Sequence, residues 1–217
     1  MMSSQTQKAS ERIIHDTRCI EEGLHWLGQI EPKFAQAADE VGEIPLRLRS
    51  DGFDQVLSAI VSQQLSVSAA AAIWSRLKEA GFVTPEAINA GTDDELRHLA
   101  LSRQKCRYAR ALAAAEIDFV ALRDLDTTEV IETLTQVSGV GVWTAEIYCM
   151  FSLGRADVFA PADLALQEAV RLLFDLEARP KPKELRLMSE AWSPWRAVAA
   201  RLLWAYYKVA KQREGIA

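Results

Sequence analysis

Apolar residues recur at three- and four-residue steps along nearly the whole chain, and no Val/Ile/Thr alternation lasts beyond four or five residues. That pattern predicts an all-α fold. Helices are expected over 17–29, 32–41, 52–62, 67–80, 85–90, 93–100, 103–116, 127–137, 142–153, 163–174, 182–192 and 194–212. Capping chemistry marks many of their ends. Ser66 precedes an Ala-rich helix that Gly81 ends, Thr84-Pro85 opens a short helix closed by Gly91, Thr92 and Glu95 form a capping box, and Ser193-Pro194 opens the last helix. The Ala strings at 69–72 and 113–115 read as small-residue faces for close helix packing. EIPLRLRSDG (43–52) reads as a connector between two lobes, one of about 1–50 plus 155–217 and the other of about 51–154.

The stretch LTQVSGVGVWTAEIYC (134–149) breaks the helical pattern with a turn that is both tight and apolar. A helix ending near Val137 meets Ser138-Gly139-Val140-Gly141, and another begins at once with Val142-Trp143-Thr144. This is a helix–hairpin–helix. Its glycines allow positive φ and close approach of a ligand, and the N–H groups at the second helix's start lie at the positive end of its dipole. Such a terminus suits a phosphate. Downstream, Gly154-Arg-Ala-Asp-Val-Phe-Ala-Pro161-Ala162-Asp163 forms a loop that places Asp163 as N-cap of the next helix.

Composition narrows the classes. Of 217 residues, 49% are apolar and 25% charged, the balance of an ordinary soluble protein, and no apolar run reaches the roughly 18 residues that a spanning helix needs. The N-terminal MMSSQTQKASERIIHD lacks the apolar core of a signal peptide, so a cytoplasmic chain with a short frayed tail is expected. Cys19, Cys106 and Cys149 are too few and too scattered for a disulfide framework or an iron–sulfur site, and read as buried thiols. A net charge of −5 argues against a nucleic-acid partner, but backbone amides bind phosphate without adding formal charge. Arg103, Lys105, Arg107 and Arg110 in SRQKCRYAR are either a solvated helix face or a basic patch toward DNA.

The combination LTQVSGVGVWTAEIY…DVFAPADLALQ resembles the helix-hairpin-helix (HhH-GPD) superfamily of DNA base-excision glycosylases, in its alkylated-base, 3-methyladenine DNA glycosylase II (AlkA-like) branch, from about Phe53 to Tyr206. The resemblance implies two helical lobes with a DNA and base cleft between them. It also implies hydrolysis of the N-glycosidic bond of alkylated purines in duplex DNA, of the 3-methyladenine and 7-methylguanine type, leaving an abasic site. By the same resemblance Asp163 is the catalytic carboxylate, kept ionised by helix-end amides, and Trp143, Trp204 and Tyr148 line the base pocket, where an aromatic face attracts a cationic purine. Gln64 is the plug for the vacated stack, with Leu65 second, in the turn Ser62–Ser66; Ser66, Gly139, Gly141 and Thr144 join these as DNA contacts. A monovalent cation, Na⁺ or K⁺, falls on main-chain oxygens of Thr135, Val137 and Val140; no other cofactor is required and no iron–sulfur cluster is expected.

Relatives that also cut the backbone carry a lysine two residues beyond the second hairpin glycine, where this chain has Trp143, so no lyase step is expected. Two departures stand out. The larger bacterial relatives carry an N-terminal β domain for which this length leaves no room, and the residue before the catalytic Asp, often acidic in that branch, is Ala162. Trp74, Trp192 and Trp195 read as packing. The expected partner is double-stranded DNA with alkylated bases, met by a monomer away from any membrane. The competing readings are a glycosylase for oxidised, deaminated or mismatched bases, and a non-catalytic hairpin module that only clamps DNA.

Overall fold

Twelve α-helices account for most of the residues described, which in this computed structural model run from 11 to 213. They are α1 (Thr17–Ile30), α2 (Pro32–Val41), α3 (Phe53–Ser62), α4 (Val67–Glu79), α5 (Pro85–Ala90), α6 (Asp93–His98), α7 (Arg103–Ala114), α8 (Thr127–Thr135), α9 (Val142–Phe151), α10 (Leu164–Leu173), α11 (Pro182–Glu190) and α12 (Arg196–Arg213), with a 3₁₀ turn at Ala121–Arg123. Among the described residues there is no strand, only an isolated antiparallel bridge between Ile13 and Arg155. None of these helices is long and apolar enough to cross a membrane.

Most caps follow local chemistry. Ser66 Oγ accepts the Ala69 N–H, Thr84 Oγ1 accepts that of Ala87, and Thr92 with Glu95 makes a reciprocal capping box. Gly81, at φ +78, follows α4 in the left-handed conformation. The last helix differs from expectation: the Ser193–Pro194 bond is cis and α12 begins only at Arg196.

The chain divides into two units. The terminal unit holds the described residues up to Leu46, Arg155–Phe159 and the chain from Ala165 onward. Phe34 anchors its core, edge-on to both Phe174 and Trp192 at 5.7 and 5.3 Å, and Phe159 meets Trp192 at 5.2 Å. Trp195 is also buried, and a side chain at Gly23 would meet it and Val198 at 2.9 and 2.7 Å. The segment expected to fray is held in its described part, since Ile14 is fully buried and Glu11 pairs with Arg155; residues 1–10 lie outside the described range.

The hairpin unit holds Arg47–Gly154 and Ala160–Leu164. Its start, between Leu46 and Arg47, falls inside the 43–52 connector. Residues 160–164, expected in the other lobe, join this unit, and the Asp163 side chain bonds within it. At its centre α9 buries Thr144, Ala145, Glu146, Tyr148, Cys149, Met150 and Phe151, faces all round the helix. The alanine runs are only half used for packing: Ala70 and Ala113 are buried, while Ala71, Ala72, Ala114 and Ala115 face water.

Candidate active site

The hairpin turn is apolar because two of its valines are roots. Val137 and Val140 are 6% and 5% exposed, while Gln136, Ser138 and Gly141 are exposed. The Val137 N–H reaches the Leu134 carbonyl at 3.2 Å and the Val140 N–H reaches the Val137 carbonyl at 3.0 Å, so the loop closes on itself. The two glycines differ in purpose. Gly139 adopts φ +94, and a Cβ there would lie 2.2 Å from Tyr108 Cγ, so its requirement comes from the protein. Gly141 adopts φ −89 with nothing within 4 Å of a built Cβ, so nothing inside the protein demands it. It is the N-cap of α9 yet offers no side-chain cap, which leaves the helix's first N–H groups uncapped by it beside exposed Val142 and Trp143.

Asp163 stands immediately before α10, half-buried, its N–H bonded to the Ala160 carbonyl at 3.0 Å. The Trp143 indole Nε1–H donates to Asp163 Oδ2 at 3.1 Å, with Trp143 38% exposed. Two residues twenty positions apart thus meet: an anionic oxygen held by one edge of an aromatic ring.

The other expected residues differ in their surroundings. Tyr148 is held in the core of the hairpin unit. It is 4% exposed, packs near Phe119 at 6.1 Å, and its hydroxyl accepts the Gly52 N–H at 3.1 Å. Burial pushes its phenol well above the ordinary tyrosine range. Thr144 contributes only a first-turn N–H, because its side chain is buried. Ser66 Oγ is engaged as the α4 cap and lies 3.2 Å from Ser68 Oγ. Trp204 lies on α12 of the terminal unit, half-buried.

Gln64 is exposed at φ +57, the left-handed region that residues with side chains rarely enter, and Leu65 beside it is 40% exposed. The Val137 carbonyl keeps one lone pair beyond its bond to Val140, so main-chain ligation by Thr135, Val137 and Val140 is compatible with this turn.

The basic run resolves into two kinds of residue. Arg103 and Arg107 are exposed, whereas Arg110 binds Asp93 and the Ile88 and Gly91 carbonyls. Lys105 turns inward: its Nζ donates to the Val61 carbonyl at 2.6 Å and the Gln63 carbonyl at 2.8 Å, and burial lowers its pKa. Sequence reading missed Gln63, whose Nε2 donates to the Gly139 carbonyl at 2.9 Å. Cys106 and Cys149 are buried as expected, but Cys19 is only partly so, with Sγ 3.6 Å from His15 Nδ1.

A family model for base excision DNA repair proteins of the HhH-GPD superfamily matches residues 57–196, which span the hairpin, Asp163 and the start of α12. The chain belongs to the HhH-GPD superfamily. It is 33% identical to DNA-3-methyladenine glycosylase 1 of Schizosaccharomyces pombe over 171 residues, 75% of each chain. The solved structure of the S. pombe 3-methyladenine DNA glycosylase in complex with abasic DNA superposes with a TM-score of 0.75 at 31% identity, covering 84% of this chain and 95% of that one. A DNA-3-methyladenine glycosidase from Bacillus halodurans superposes with a TM-score of 0.77 at 30% identity, over 94% of both chains. The all-α HhH-GPD fold expected from the sequence is the fold observed.

Proposed function

We propose that the protein is a monofunctional DNA glycosylase that hydrolyses the N-glycosidic bond of alkylated purines in duplex DNA, of the 3-methyladenine and 7-methylguanine type, and leaves an abasic site. The observation that carries this reading is the Trp143–Asp163 pair, set beside an uncapped helix start. Breaking the bond from the sugar to the base builds positive charge on the deoxyribose, and a fixed carboxylate stabilises it. Trp143 steadies the carboxylate through Oδ2, and the negative charge so fixed acts on the sugar and the attacking water. Water's oxygen bonds the anomeric carbon, its surplus proton passes to solvent, and the purine leaves with the bonding pair.

A purine made cationic by alkylation leaves as a neutral molecule and needs no general acid. That suits a hairpin unit whose one histidine, His98, is exposed and within 2.7 Å of the Asp94 carbonyl through Nδ1. The faces of the Trp143 ring attract the same cation, worth roughly 0.5–2 kcal/mol. Trp143 stands where the lyase relatives carry lysine, so this position supplies no amine to attack the sugar. Gln64, exposed on a left-handed turn, fills the vacancy left by the extruded base. A monovalent cation on the carbonyls of Thr135, Val137 and Val140 would add positive charge at the hairpin. Replacing Na⁺ and K⁺ by tetramethylammonium at constant ionic strength is then expected to weaken duplex binding, and unchanged binding would remove the cation from the account.

Trp143→Phe tests the pair by keeping a ring and removing the N–H. A hydrogen bond to a charged group predicts about a tenfold lower single-turnover release of 7-methylguanine with little change in duplex affinity. Trp143→Ala, which also removes the ring, is expected to weaken affinity for the methylated duplex as well. A Phe variant as fast as wild type would show that the indole N–H contributes nothing to the chemistry.

A further inference from the structure

We propose that α7 acts as a strut that holds the wedge turn and the hairpin in register, with Lys105 as the positioning residue for Gln64. The inference rests on the glycosylase reading above and adds residues that it does not use. Lys105 and Tyr108 are three residues apart, neighbours on one face of α7. Lys105 Nζ is bonded to the Val61 carbonyl in the last turn of α3 and to the carbonyl of Gln63, the α3 C-cap. These are the oxygens that a helix end leaves unsatisfied, at the negative end of its dipole, and an ammonium suits them on both counts. The next residue is Gln64, at φ +57.

Left-handed backbone at a residue with a side chain persists only where its surroundings over-determine it. Here the carbonyl before it is clamped by Lys105, and the Gln63 side chain is clamped to the Gly139 carbonyl at 2.9 Å. One turn along α7, the Tyr108 side chain lies against Gly139 so closely that a Cβ there would overlap its ring, and the Tyr108 hydroxyl accepts Gln104 Nε2 at 2.6 Å. Thus α7 touches both loops, and Gln63 closes the third side. When the hairpin amides rest on a phosphate, the Gln64 backbone is at a set distance from it. Extruding a paired base is uphill, and a wedge on a slack turn would lose part of its hold on the open state.

If Lys105 served only as an ordinary helix cap, its loss would affect every substrate alike. The test is single-turnover release of 7-methylguanine from two duplexes, one with the lesion opposite cytosine and one with it opposite a tetrahydrofuran abasic analogue, where extrusion breaks no pair. The readout is the ratio of the paired to the unpaired rate. Lys105→Met and Gln63→Met are each expected to lower that ratio about tenfold relative to wild type. Two variants guard against one of them simply failing to fold, and release from the unpaired duplex reports that the active site is intact. An unchanged ratio in both, whether the two rates fall together or neither falls, overturns the strut. Gln64→Ala, which leaves α7 untouched, should lower the same ratio. If it does not, the wedge assignment itself is wrong, a failure separable from that of Lys105 and Gln63.

Discussion

Asp163→Asn is expected to lower base release from a 7-methylguanine duplex by about a thousandfold or more, equivalent to about 4 kcal/mol of lost transition-state stabilisation. The change is nearly isosteric, and an amide oxygen can still accept the Trp143 N–H found 3.1 Å from Oδ2. What disappears is the full negative charge facing a sugar that becomes positive only as the bond breaks. Catalysis of this kind is differential binding, so the loss should track charge in the ligand. Affinity for duplex DNA carrying a neutral tetrahydrofuran site should stay within about threefold of wild type. Affinity for a duplex carrying a cationic pyrrolidine in place of the sugar should fall far more. Competition binding with the two duplexes checks this, and equal losses on both would assign Asp163 to general DNA binding. Retained base release in the Asn variant would assign it to the head of α10 as a structural cap.

The second large effect separates the two hairpin glycines. Gly139→Ala forces a left-handed backbone at φ +94 on a residue with a side chain and drives its methyl to 2.2 Å from Tyr108 Cγ. Backbone strain and overpacking together predict a loss of about 2–4 kcal/mol in urea unfolding. Gly141→Ala meets neither problem, since its φ is −89 and the space around a Cβ is open. Its stability should lie within about 1 kcal/mol of wild type, the range for exchanging Gly and Ala at an N-cap. Its duplex affinity should nevertheless fall by about tenfold, because the new methyl stands where a phosphate approaches the uncapped amides. If the Gly141 variant binds DNA like wild type, those amides do not carry the phosphate. If the Gly139 variant is as stable as wild type, the hairpin relaxes away from Tyr108 and the packing account is wrong.

The helices were legible because their ends depend on neighbours in sequence: the Thr92–Glu95 box and the Ser66 cap need only a few residues to specify them. Asp163 and Trp143 were legible one at a time, through motifs on either side of the same loop, but the hydrogen bond between them was not. The burial of Tyr148 was not legible, because α9 is apolar on every face and periodicity gives no sign of which aromatic faces the core. The basic run of α7 is uniform in sequence, and Lys105 differs from Arg103 and Arg107 only because it meets the end of α3. Those contacts join positions 44 and 42 residues apart. Gln63 and Gln64 are chemically identical neighbours, and only the turn's backbone assigns one to the Gly139 carbonyl and the other to solvent. The placement of residues 160–164 with the hairpin unit is likewise set by three-dimensional pairing, not by a local boundary signal.

The central claim, hydrolysis directed at purines already carrying positive charge, is tested most directly by what is released and what remains. Duplexes carrying a single 7-methylguanine or a single 8-oxoguanine are incubated with the protein, and free base, abasic sites and strand breaks are counted in the same samples. The account predicts release of 7-methylguanine with one abasic site per base freed, a strand that stays whole until alkali is added, and no comparable release of 8-oxoguanine. Preferential release of 8-oxoguanine, or a strand cut before alkali, would contradict it.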